Sequence, residues 1–150
     1  MPTNPTASKP GLPGVPAGGL QKIGQIRGTN SLVFRIGHNA MDAALELVSS
    51  HTPGAPVVNE RTEFVGFVSE IDVLHALEAG KNLSTLNIEH IMAHDPIAVT
   101  TDTTIKEAVK LMEEKRLLNL PVTNQGKVAY SVTRHDLLRA VIGLGTTGED

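Results

Sequence analysis

The 150-residue sequence has no cysteine and no tryptophan, and aromatic residues make up only 3% of it. Without cysteine there are no disulfides, no thiolate metal sites and no thiol nucleophile. So few aromatics leave no platform on which single-stranded bases would stack, and the core has to be built from Leu, Ile, Val, Ala and Met. An excess of positive charge is missing too. Thirteen Lys and Arg against sixteen Asp and Glu give a net charge of −3, the wrong sign for a chain whose main partner is nucleic acid. No apolar run approaches the roughly 20 residues of a membrane span. The N-terminus lacks the charged-then-apolar pattern of a secretory signal, so no membrane association and a cytoplasmic location are expected.

What the sequence does contain is a repeat. Val65-Gly66-Phe67-Val68-Ser69-Glu70-Ile71-Asp72 returns as Ala129-Tyr130-Ser131-Val132-Thr133-Arg134-His135-Asp136. In each copy an extended apolar run ends in a hydroxyl residue, and an aspartate three positions later opens an amphipathic segment. The offset is 64 residues (133 − 69 and 136 − 72), long enough for a duplicated supersecondary unit. Met41, Ala44, Leu47 and Val48 align at that offset with Ile105, Ala108, Leu111 and Met112, which predicts two helices with matching apolar faces. Ala55-Pro56-Val57-Val58 matches Leu120-Pro121-Val122-Thr123 at 65 residues, and a compensating residue in the first hairpin restores the register.

Residues 1–19 hold five of the nine prolines among Gly, Ser and Thr, a composition expected to stay disordered. Together with an apolar arm around Leu20 to Ile26, that stretch makes up residues 1–30. The first repeat is expected over 31–80: strand 32–36, helix 40–50, strands 56–58 and 64–68, and a helix from an N-cap at Ser69 to Glu78, stopped by Gly80. A connector, 81–95, carries one helical turn over 88–93. The second repeat, 96–144, has strand 97–100, helix 104–115, strands 121–123 and 127–132, and helix 134–144; residues 145–150 form a polar tail. Each unit reads β-α-β-β-α, an α/β (α+β) chain of two small sheets packed through shared helices.

The helix Ala108-x-x-Leu111-Met112, the strand start Leu120-Pro121-Val122, a Gly-containing hairpin, an apolar strand and Thr133-x-x-Asp136 resemble the cystathionine-β-synthase (CBS) domain. The ordered set occurs twice over about 31–144, with Ile91-Met92 and Pro96 in the connector, and resembles a tandem pair, or Bateman module. The resemblance implies pseudo-two-fold symmetry and a cleft with two sites for adenosine nucleotides. Ser69 and Asp72 would face the ribose in one site, Thr133 and Asp136 in the other. Base contacts come from the opposite copy, by position Ile97 and Leu118 for the Asp72 site, Val33 and Pro53 for the Asp136 site.

Physically, a carboxylate in the first turn of a helix can accept hydrogen bonds from the vicinal hydroxyls of a ribose, and it is also an ordinary helix-start residue. Phosphates ask for positive charge. Arg134 and His135 flank Asp136, whereas Glu70 and Ile71 precede Asp72. The Asp136 site is therefore expected to hold charged nucleotides better, although Arg134 serves equally well as a solvated surface residue. Tyr130 and Ser131 depart from the family's small-then-aliphatic pattern, and Tyr130 either fills the base pocket or covers a sheet edge.

His90 and His94 are four apart, but Asp95-Pro96 ends that segment directly, so a solvated or capping role is expected for the histidines and no metal site. No nucleophile elbow, phosphate loop or paired carboxylate set points to an enzyme. The reading is a non-enzymatic sensor for AMP, ADP, ATP or S-adenosylmethionine, with no cofactor. It is expected to signal through a homodimer formed by its helices to an unidentified effector protein. The alternative is a dimerisation scaffold with degenerate ligand sites.

Overall fold

Two hydrophobic clusters, one for each half of the chain, set the architecture. The computed structural model describes residues 21–26, 28, 30–95 and 97–142. The Pro-rich stretch 1–19 and the polar end 145–150 lie outside the described residues. The first cluster joins Phe34, Leu47, Val57, Val68, Leu83 and Ile88, and the second joins Ile23, Ile105, Met112, Leu120, Val132 and Leu137.

The first unit runs β1 (Phe34–Arg35), α1 (Ala40–Ser49), β2 (Gly54–Val58), β3 (Phe64–Ser69) and α2 (Glu70–Glu78). β2 lies between a parallel β1 and an antiparallel β3. The second unit runs α3 (Ile105–Lys115), β4 (Asn119–Asn124), β5 (Lys127–Thr133) and α4 (Arg134–Val141), with β4 and β5 antiparallel. Both sheets shift register at the same place, between Val57 and Val58 and between Val122 and Thr123. That shared irregularity is a geometric mark of the duplication.

Local sequence explains the helix starts. Asn39 caps α1, and Ser69, Thr104 and Thr133 each form a reciprocal capping box with Asp72, Glu107 and Asp136. Such boxes satisfy amide donors that a helix cannot pair internally. The helices stop in the same way as well. His51 follows α1 at φ 53° and Arg116 follows α3 at φ 54°, both in the left-handed region that often ends helices.

The structure differs from the sequence expectation at two elements. The strand expected over 97–100 is reduced to one parallel bridge, Val99 to Val122, counterpart of the Phe34–Val57 pair in β1 and β2. Beyond Val99, Thr100 accepts an Asp102 amide on its hydroxyl and gives its own amide to Thr103 Oγ1, so the chain turns instead of extending. The connector holds two short 3-10 turns, Leu83–Thr85 and Ile88–His90, in place of one turn over 88–93. Leu83 and Ile88 are buried in the first cluster, and Ala93 exchanges backbone hydrogen bonds with Phe67 at the β3 edge.

The segment 21–26 packs on the second unit: Ile23 and Ile26 are buried there, and its backbone bonds to Thr101, Thr103 and Ile105. Asn30 then accepts the Ser131 amide, covering the β5 edge as Ala93 covers β3. The units meet where Phe64 and Val128 bond across the hairpins to Gly126 and Thr62, and where buried Asn119 donates to the Gly54 carbonyl at 2.8 Å.

Candidate functional site

The turn from β3 into α2 places Ser69 and Asp72 at the mouth of a cavity of about 540 Å³ between the two units. Asp72 Oδ2 accepts from both the Ser69 amide and the Ser69 hydroxyl at 2.9 Å. These bonds hold the carboxylate in one orientation, and its Oδ1 has no partner among the described residues. The cap and a ligand contact are therefore compatible on one side chain. From the opposite unit come Ile97 and Leu118, so all four residues expected for the Asp72 site line one cavity. Phe67, Pro53 and Pro121 add to its apolar wall. A volume of a few hundred Å³, mainly apolar with a few convergent polar groups, is typical of small-molecule sites.

The second cavity, about 450 Å³, is lined by Thr133 and Pro53 of the expected set, together with Asn30, Ser31, Leu32, Ser50, His51 and Thr52. Val33 is partly buried beside Leu32 but does not line it. Asp136 is 2% exposed; its Oδ2 accepts the Thr133 amide at 3.0 Å, and its own amide donates to Thr133 Oγ1 at 2.9 Å. Pro53 lines both cavities and accepts the first amide of α2, that of Glu70.

The charge distribution differs from the sequence expectation. Arg134 and His135 are exposed and line neither cavity. Positions i and i+3 share a helix face, so the turn that directs Thr133 and Asp136 inward leaves the two residues between them facing water. The Lys and Arg side chains that do line a cavity are Lys115 and Arg116 at the end of α3, in the Asp72 cavity, whose lining also includes Glu70, Asp72 and Asp95. Sequence reasoning missed them, along with Phe67, Asn119 and the 50–52 segment. A signal was available, since the 65-residue offset that aligns Pro56 with Pro121 also aligns His51 with Arg116.

Tyr130 packs against the second cluster, with its ring close to Gly28, where an added Cβ would fall 2.4 Å from Tyr130 Cδ2. It lines neither cavity, and burial pushes its phenol pKa up. Ser131 Oγ is buried without a hydrogen-bond partner among the described residues. His90 Nδ1 accepts the Asn87 amide at 3.0 Å. Among the described residues no group of three or more His, Asp or Glu is placed to hold a metal ion, and no helix is long and apolar enough to cross a membrane.

Comparison with known proteins adds three findings. A family profile described as CBS domain matches residues 23–79 and again 88–143. An uncharacterized protein of Methanopyrus kandleri, MK0525, is 28% identical over 130 residues, 85% of this chain and 66% of that protein, just under two thirds of its length. Among solved structures, the CBS domain pair of protein MJ0100, in complex with 5'-methylthioadenosine and S-adenosyl-L-methionine, superposes with a TM-score of 0.71 at 23% identity, covering 80% of this chain and 94% of that one. CBSX2 in complex with AMP gives 0.67 at 26% identity, covering 79% and 94%.

Proposed function

Because the chain belongs to the CBS domain family and carries two copies in tandem, we propose that it is a non-enzymatic regulatory module that binds adenosine-containing nucleotides between them. The observation that carries this reading is the Asp72 cavity, where Ser69 and Asp72 of one unit meet Ile97 and Leu118 of the other. Asp72 Oδ1 accepts the ribose hydroxyls, and the apolar side chains hold the base. AMP bound to CBSX2, 26% identical, supports the ligand class. AMP, ADP, ATP and S-adenosylmethionine are the candidates. Thr133 and Asp136 are the corresponding pair for a second molecule.

A ligand touching both units favours the arrangement that fits it best, by its differential affinity for the two. The readout is a homodimer formed through the helices, recognised by an effector protein. The helices support this by leaving Val48 71% exposed, Leu74 57% and Leu138 60%, an apolar surface suited to a partner. The lack of cysteine fits action in the cytoplasm. A second reading, a scaffold whose second site does not bind, is favoured by the burial of Asp136 in its capping box.

Thermal melting with each of the four nucleotides separates the two. A ligand at about 100 times its Kd adds about 2.7 kcal/mol, so a sensor melts several degrees higher with at least one of them. A melting temperature unmoved by all four at millimolar concentration leaves the scaffold.

A further inference from the structure

We infer that the two clefts divide adenosine ligands by charge, with Arg116 selecting a phosphorylated adenosine in the Asp72 cleft and His51 leaving the other cleft to an uncharged adenosyl group. This rests on the adenosine reading above and adds which chemical form each cleft takes.

Three observations carry it. Arg116 and His51 are structural counterparts: each sits at positive φ just past its unit's first helix, the next residue in each case donating its amide five residues back (Leu117 to Met112, Thr52 to Leu47), and each lines one cleft. Their charges differ. The Asp72 cleft carries the carboxylates of Glu70, Asp72 and Asp95 as well as the permanent cations Lys115 and Arg116, so the selecting element is the Arg116 guanidinium, which binds phosphate oxygens in a bidentate manner, and not a net positive charge. Among the described residues that line the second cleft, His51 is the ionisable side chain, beside the neutral polar groups of Asn30, Ser31, Ser50, Thr52 and Thr133, with the Asp136 carboxylate buried behind Thr133. Such a wall offers hydrogen bonds to hydroxyls but no fixed charge to a phosphate.

The left-handed backbone is the third observation. A non-glycine side chain there is unfavourable, and glycine is the residue that ends helices in this conformation without cost. A position serving only the turn would be met best by glycine. Arginine at 116 and histidine at 51 accept the strain and present a polar side chain to a cleft.

The test is calorimetric titration of the full chain with adenosine and with AMP, alongside melting curves, on wild type, Arg116→Gly and Arg116→Lys. Wild type is expected to bind AMP about tenfold more tightly than adenosine at its stronger site, the equivalent of about 1.4 kcal/mol. Arg116→Gly is expected to abolish most of that preference, leave adenosine affinity nearly unchanged, and hold or raise the melting temperature; Arg116→Lys keeps part of the preference. In an Asp72→Asn, Arg116→Gly background, in which the first cleft is weakened and has lost its phosphate selector, His51→Arg is expected to strengthen AMP binding over adenosine. Equal wild-type affinities for adenosine and AMP, or an AMP preference that survives Arg116→Gly, would overturn the inference alone. Binding of neither ligand would overturn it together with the nucleotide reading.

Discussion

Asn119 is 3% exposed, and its side-chain amide donates 2.8 Å to the Gly54 carbonyl across the junction of the units. Removing one partner of a buried hydrogen bond costs about 1 to 3 kcal/mol, because the other is left dry and unpaired. Asn119→Ala is therefore expected to lower unfolding free energy by about that amount in urea titration; a loss below roughly 0.5 kcal/mol would show that the bond is not a structural tie. Residue by residue, the placement of Ser69 and Asp72 at one cavity was legible because the motif is local: a strand, a hydroxyl N-cap and a carboxylate three positions on leave a fixed pattern. Lys115 and Arg116 were missed because they belong to no motif beside Asp72, entering the cavity from the end of α3, and the repeat offset that pairs Arg116 with His51 was their only mark in the sequence. Arg134 and His135, adjacent to the motif in sequence, are exposed and line neither cavity.

At the scale of elements, the connector is a structural part of the first unit. Besides burying Leu83 and Ile88, it places Glu89 Oε1 2.9 Å from the Gly37 amide in the β1–α1 turn. That backbone hydrogen bond holds the Glu89 carboxyl below its ordinary value of 4.5. A depressed folded-state pKa means the stabilisation is complete above the unfolded value and fades as pH falls through the folded one. Because the carboxylate is largely solvated and its interaction screened, Glu89→Gln is expected to cost no more than about 0.5 kcal/mol at pH 7 and to converge with wild type in acid, below the ordinary value of 4.5; urea titrations at pH 7 and pH 3 check this. A gap that persists in acid would place the effect elsewhere. Helices and hairpins were readable because capping residues and apolar periodicity are written locally. The strand expected at 97–100 failed because its extended run ends in Thr100 to Thr103, whose hydroxyls bind nearby backbone amides and bend the chain.

At the scale of the whole molecule, the four helices carry apolar side chains that the monomer does not cover, and the proposed dimer would bury them. Val48→Glu with Leu138→Glu places charge on two of the most exposed apolar positions, 71% and 60%. Sedimentation is expected to show a dimer for wild type and a monomer for the double variant, with the secondary structure intact; a wild-type monomer would remove the dimer from the proposal. The central claim is that the Asp72 cleft binds an adenosine nucleotide, and titration calorimetry with AMP on wild type and Asp72→Asn tests it most directly. Asparagine keeps an oxygen for the Ser69 cap while removing the charge that meets the ribose. The account predicts saturable binding in wild type, weakened about tenfold or more in Asp72→Asn, with the melting temperature of the free protein nearly unchanged. Equal affinity in the two proteins, or no heat at millimolar AMP, would contradict it.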